Sequence, residues 1–328
     1  MFGKDLIDPA KEIVEIANHV TSFYLTPAQA NIFNEPNTGV IRKLTKAKNN
    51  LFDKKDQLIR ERLPDFVDAV DLYNSMLSKL ILSGDLATNL DSKHHLPLGM
   101  IETLLSQVYD RAVSPRVDIL TKKHADAENE KDNTYGELLP KFVSMALEKA
   151  GLQSDQVFVD LGSGVGNVVL QAALEFGCES FGCEMVENAC KLAKEQEKEF
   201  AARCRLWGIN TGEVQLEQGS FFESQATHAA IKRADVILVN NEVFSADTNE
   251  NLISLFLDCK DGCKIVSLQP FVEPGHEITE RNLYDPRNQL DVERHQYHNE
   301  YVSWKYDGGD FFISKKDRTR IEAFEKHS

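Results

Sequence analysis

The sequence predicts an α/β fold, a doubly wound, mostly parallel open sheet with helices on both faces, preceded by a helical N-terminal domain. Three observations predict it. From residue 157 onward, short apolar runs alternate with amphipathic helical stretches at the spacing of βαβ units. The run at residues 157–167, VFVDLGSGVGN, reads as a buried strand entering a turn with glycines at positions 162, 164 and 166. Before residue 124 the recurring apolar spacing is helical.

Taken in order, KEIVEIANHV gives a short helix, and a Pro-, Asn- and Gly-containing stretch runs to Gly39. Residues 45–63 favour helix, with Pro64 expected to end it. Residues 65–82 carry apolar side chains at amphipathic spacing and close at Ser83-Gly84. Pro97 opens a further helix that stops before Pro115. The polar run HADAENEKDNT, residues 124–134, marks a boundary, giving a helical domain at 1–126 and an α/β domain at 127–328. After a helix to about Ala150, strands are expected at 157–161, 180–184, 214–218, 236–240 and 264–268. Helices are expected at 165–176, 186–207, 227–233 and 248–259 between and after them. Two β-rich runs, YVSWKY and DFFIS, around Asp307-Gly308-Gly309 predict a hairpin at the sheet edge.

The glycine turn narrows the ligand. A dinucleotide fingerprint, G-x-G-x-x-G, fails because Asn167 holds its third glycine position, and the Gly-Lys-Ser/Thr of a phosphate loop is absent. What remains is acid-x-G-x-G-x-G from Asp160, the first motif of S-adenosylmethionine-dependent methyltransferases. That cofactor carries no phosphate, and an acid ahead of the glycines suits an ammonium better than an anion. Ligands of open α/β sheets lie at the carboxyl ends of strands. The second strand ends at Glu184, placed to accept ribose hydroxyl protons. The third ends in Ser220-Phe221, where an aromatic ring either stacks on adenine or packs in the core. The fourth ends in Asn240-Asn241, adjacent amides whose donors and acceptors need partners.

Composition bounds the rest. The 328 residues, 42% apolar and 27% charged, fit a globular protein of two domains. No apolar run approaches the ~18 residues of a membrane span, and no signal-peptide core opens the chain. Six cysteines without a C-x-x-C pair, and histidines without ligand spacing, point to reduced thiols and no metal site. The net charge of −15 divides into −3 over residues 1–134 and −12 beyond, which disfavours tight nucleic-acid binding and favours a basic partner. One basic stretch stands out: Arg42, Lys43, Lys46, Lys48, Lys54 and Lys55 meet a single acid, Asp53. It is either a solvated helix face or a weak DNA contact.

Tyr135-Gly136-Glu137, the octet DLGSGVGN at 160–167, Val239-Asn240-Asn241, Val302-Ser303-Trp304 and Val113-Ser114-Pro115-Arg116 together resemble the non-SET histone-lysine methyltransferases named for disruption of telomeric silencing. The resemblance covers roughly residues 96–318, with fungal members most similar. It implies a class I S-adenosylmethionine-dependent methyltransferase fold, with a seven-stranded sheet and a C-terminal antiparallel hairpin. It also implies methylation of a lysine on the globular surface of the third core histone in nucleosomes, a nuclear monomer, and roles in silencing and DNA-damage checkpoint control. Tyr135, Gly136, Glu137 and Leu138 correspond to a loop closing over the cofactor's methionine end. Phe158, Val159, Asp160, Leu161, Gly162, Ser163, Gly164, Val165, Gly166, Asn167, Glu184, Ser220 and Phe221 correspond to the remaining cofactor contacts. Asn241, Tyr135, Trp304 and Phe311 correspond to the lysine channel, and Arg281 to an arginine that engages the nucleosome's acidic patch.

The sequence departs from that pattern in three places. Glu242 stands where the family usually has Phe, with Phe244 as a partial replacement; Phe311 and Phe312 stand where tyrosines are common; and no strongly basic flank is present. Two other readings stay open. One is a methyltransferase of the same fold acting on another protein, RNA or a small molecule; the other is a cofactor-binding chromatin scaffold, motivated by Glu242.

Overall fold

In the computed structural model the described residues are 7–52, 58–91, 95–121 and 136–327. They form two compact units, Met1–Thr103 and Leu104–Ser328. The expected boundary at 126/127 and the polar run around it lie outside the described residues.

The first unit is helical. Asp8 caps helix Pro9–His19 by accepting from the Lys11 amide, and Thr26 and Gln29 form a reciprocal capping box on Pro27–Phe33. Helices Val40–Asn50 and Leu63–Leu82 bury Val40, Leu44, Phe66 and Tyr73 in a common core, where the Tyr73 and Phe33 rings meet edge to face. Pro64 does not end a helix. It sits in the first turn of Leu63–Leu82, where its missing N–H costs nothing and its fixed φ suits helix entry.

The second unit is built on one seven-stranded sheet. Its strands are β1 (Val157–Leu161), β2 (Glu179–Glu184), β3 (Val214–Gln218), β4 (Val236–Val239), β5 (Lys264–Ser267), β6 (Leu290–Tyr297) and β7 (Gly309–Lys316). The order is β3-β2-β1-β4-β5-β7-β6; the first five are parallel, and β7 inserts antiparallel between β5 and β6. This is the class I methyltransferase arrangement expected from the sequence. Alternate side chains feed two cores. Phe158, Leu238 and Val266 pack with helix Pro140–Ala150 on one face. Val159, Ile237 and Ile265 pack with helices Gln225–Arg233 and Ala246–Leu255 on the other. All six cysteines are free and buried.

The hairpin differs from expectation. Its first strand is β6, LDVERHQY, whereas residues 301–306 form no strand of the sheet. Instead Val302 makes an antiparallel bridge with Leu138. β6 is an edge strand with Asp291, Glu293, Arg294 and Gln296 in water, so its polar sequence hid it.

Candidate active site

β1 delivers the chain to the glycine turn at the point where the sheet order reverses, with β2 on one side and β4 on the other. Gly162, Gly164 and Gly166 all have positive φ (88°, 55° and 86°), a conformation that side chains with a Cβ resist. The turn folds back on β2: the amides of Gly162 and Ser163 both donate to the Cys183 carbonyl, at 2.9 and 3.0 Å. Gly182 makes that approach possible, since a Cβ there would stand 2.8 Å from Ser163 Oγ. Glu184 then locks the far side, accepting from the Gly164 amide at 2.9 Å and the Val186 amide at 2.7 Å. Each carboxylate oxygen keeps a second lone pair for a hydroxyl donor.

A cavity of about 260 Å³ opens over this turn. Asp160 and the turn line it, together with Glu184, Met185, Phe221, Asn240, Glu242, Phe244 and Trp304. Four carboxylates line it (Glu137, Asp160, Glu184 and Glu242), and no lysine, arginine or histidine among the described residues does. Burial, followed by the neighbouring Glu184 charge, pushes the Asp160 carboxyl up to about 8. At neutral pH an empty cavity therefore holds that acid largely protonated, and a cation would favour its ionised form.

The loop over the cavity is tied down from both directions. Leu138 bridges Val302, the Ser303 amide donates to the Glu137 carbonyl at 2.9 Å, and the Glu137 amide donates to Ser303 Oγ at 2.9 Å. Trp304 lies flat against Gly136, where a Cβ would come within 2.9 Å of the indole ring. The Glu137 side chain accepts from Asn167 Nδ2 at 3.2 Å and is hydrogen-bonded to Tyr109. Nothing along the chain signals that Tyr109 contact, because its partners lie far apart in sequence.

Of the expected site residues, Gly136, Glu137, Leu138, Asp160, Gly162, Ser163, Gly164, Val165 and Asn167 line the cavity, as do Glu184, Phe221 and Trp304. Phe158, Val159 and Leu161 instead fill the two cores. Gly166 lies beneath the turn against Leu216, and Ser220 Oγ accepts from the Phe222 amide outside the cavity wall. Tyr135 lies outside the described residues. Phe311 is not on the wall. It is fully buried between Phe142, at 5.4 Å between ring centroids, and His295 at 5.2 Å.

Asn241 is also absent from the wall, for a specific reason. Its Nδ2 donates to Asn249 Oδ1 at 2.9 Å and to the Gln269 carbonyl at 3.1 Å. Its Oδ1 accepts from the amides of Leu268 and Gln269, at 3.0 and 2.9 Å. Those four bonds exhaust the amide. Its neighbour Asn240 faces the cavity and donates to the Gly136 carbonyl at 3.2 Å. Phe244 faces the cavity too, with its ring roughly parallel to that of Phe221 at 6.4 Å. Arg281 is exposed on a separate loop, which buried Asn288 braces by donating to the carbonyls of Asn282 and Leu283.

Residues 109–316 match the family described as "Histone methylation protein DOT1". A protein of Emericella nidulans named "Histone-lysine N-methyltransferase, H3 lysine-79 specific" is 47% identical over 98% of this chain and 62% of its own length. Proteins of the same name from Aspergillus fumigatus (47% identical, 98% of this chain, 61% of that protein) and Chaetomium globosum (48%, 96% and 59%) are similar. The chain spans about three fifths of the length of these relatives. The family match covers the sheet, the glycine turn and the clasped loop, and the chain belongs to the DOT1 family of histone methylation proteins.

Proposed function

We propose that this chain is an S-adenosylmethionine-dependent methyltransferase acting on lysine 79 of histone H3 in the nucleosome. The observation that carries the reading is a cavity at the switch point of the sheet, lined by four carboxylates and, among the described residues, by no basic side chain. Such a field repels phosphate-bearing cofactors and favours a ligand carrying a sulfonium and an ammonium. The residues fit that ligand: Glu184 has free lone pairs for ribose hydroxyls, Phe221 offers a ring face to adenine, and the glycine turn exposes bare backbone. Bound there, S-adenosylmethionine supplies an electrophilic methyl group.

The protein's part is alignment and exclusion of water. Asn240, Phe244 and Trp304 line the same cavity, and in this reading the acceptor enters past them. Holding two reactants in line supplies much of the acceleration of a displacement. An acceptor lysine has an unperturbed pKa near 10.4, and aromatic, poorly solvated walls disfavour its charged form. Asn240 orients the neutral amine through its amide. Arg281, held outward on its braced loop, pairs with an acidic histone surface. Arg42, Lys43 and Lys46 lie exposed on helix Val40–Asn50 and give weak contact to DNA in a protein that works as a nuclear monomer. Lys54 and Lys55 lie outside the described residues.

The test is transfer of labelled methyl from S-adenosylmethionine to intact nucleosomes, free histones and RNA assayed side by side. Incorporation restricted to nucleosomal histone supports the reading. Incorporation into RNA alone, or none, contradicts it.

A further inference from the structure

Glu242 is an ionisable group on the acceptor wall, in a position where the neighbouring side chains Val243, Phe244 and Trp304 are apolar. It is partly exposed to the cavity and held in place by one bond, from Gln269 Nε2 to Oε2 at 3.0 Å. Its other oxygen, Oε1, has no hydrogen-bond partner among the described residues. Lys305 feels the Glu242 charge but is not part of the cavity lining. The Lys305 ammonium is bound to the Tyr297 hydroxyl, which holds it above its ordinary range, with the Glu242 charge a lesser contribution. It also sits over the Tyr297 ring, 5.3 Å from the centroid. A partly exposed carboxylate with an oxygen to spare attracts an arriving cation. The other three carboxylates are placed differently: Asp160 is buried on β1, Glu184 at the end of β2 is bound by the Gly164 and Val186 amides, and Glu137 is bound by Asn167 and Tyr109.

We propose that Glu242 is a specificity-determining residue that receives the acceptor lysine as an ammonium, forming an ion pair through its free oxygen at the channel entrance. No bond is made or broken in this step. The ammonium then moves past Glu242 toward Asn240 and the aromatic wall, where its proton is given up to solvent before transfer. The pair has two consequences. Capture becomes dependent on salt, because exposed pairs are screened. An acceptor of the same shape without a positive charge is captured less well. The proposal rests on the methyltransferase reading for its meaning in turnover, but the binding step can be measured without turnover.

The experiment uses the full chain saturated with S-adenosylhomocysteine and two probes of one shape, n-butylammonium and n-butanol, titrated by ligand-observed NMR. Wild type is expected to prefer the cation by about fivefold at low salt, the upper range of a partly exposed pair. The preference should fall as salt rises. Glu242→Gln keeps an oxygen for the Gln269 bond and should lose the preference; Glu242→Asp should retain part of it. Equal melting temperatures of the three proteins exclude a folding effect. An unchanged cation preference in Glu242→Gln overturns the proposal, whatever the turnover. In steady state on nucleosomes, Glu242→Gln should raise KM about fivefold with kcat within twofold of wild type. A lowered kcat with KM unchanged would also overturn it, since that would place Glu242 in the transition state. Absence of methyl transfer by wild type, alongside an intact Glu242-dependent cation preference, would instead refute the proposed function and leave the ion pair standing.

Discussion

The two adjacent asparagines at the end of β4 should separate cleanly on mutation. Asn241 joins the end of β4 to the chain leaving β5 through three hydrogen bonds and to Asn249 through a fourth, and is 1% exposed. Asn241→Ala strands the Leu268 amide, which is buried, and leaves the Gln269 amide and carbonyl to be partly recovered by water. Each unsatisfied buried group costs roughly 1–3 kcal/mol, so the loss should be about 3 kcal/mol. For a domain of about 150–250 residues, that lowers the melting temperature by roughly 6–12 °C. Asn240→Ala removes one bond, to the Gly136 carbonyl, from a partly exposed side chain. It should shift stability by less than about 1 kcal/mol while lowering turnover at least tenfold, because it both faces the acceptor and steadies the loop. Thermal unfolding and nucleosome methylation, measured on the same preparations, decide the matter. Wild-type turnover in Asn240→Ala, or a melting temperature unchanged in Asn241→Ala together with lost turnover, would refute the assignment.

Three further outcomes are expected. Glu184→Ala should weaken S-adenosylmethionine binding about 100-fold by calorimetry, since the proposed ribose bonds would be lost and the Gly164 and Val186 amides freed. Cofactor binding at pH 7 should release close to one proton, seen as a dependence of the binding enthalpy on buffer, and Asp160→Asn should abolish the release. The sign follows for stability as well: a carboxyl raised from 3.8 to about 8 on folding makes the ligand-free protein lose stability as pH rises across that window, and Asp160→Asn should flatten the loss. Gly136→Ala should push Trp304 off the loop, raising KM for the acceptor with little change in melting temperature; a wild-type KM would show that the indole can yield.

Much of this site was readable in the chain because its chemistry is local. Asp160, the glycines and Asn167 are consecutive, and a carboxylate at the end of the next strand is found by counting, as Glu184 was. Strand ends, by contrast, fix which side chains are near a site but not which of two neighbours faces it. The strand end offers both Asn240 and Asn241, and only the resemblance singles out Asn241; in the structure Asn240 lines the cavity while the amide of Asn241 is spent on Asn249, Leu268 and Gln269. Phe311 and Phe312 present the same ambiguity on β7, and there the ring at 311 went to the core. The clasp between residues 137–139 and 301–303 was invisible because its hydrogen bonds are mainly backbone to backbone. YVSWKY looked like a strand because aromatic and β-branched residues favour extended backbone; in the structure the run bends, keeps only the Val302 bridge to Leu138, and brings Trp304 to the cavity instead of joining the sheet.

The most direct measurement is the position of the methyl group. Recombinant nucleosomes incubated with the full chain and S-adenosylmethionine, then digested and sequenced by mass spectrometry, should carry methylation at lysine 79 of histone H3, and Asn240→Ala should diminish it. Methylation confined to histone tails or to another histone, or none at all under conditions where the cofactor is bound, would contradict the account.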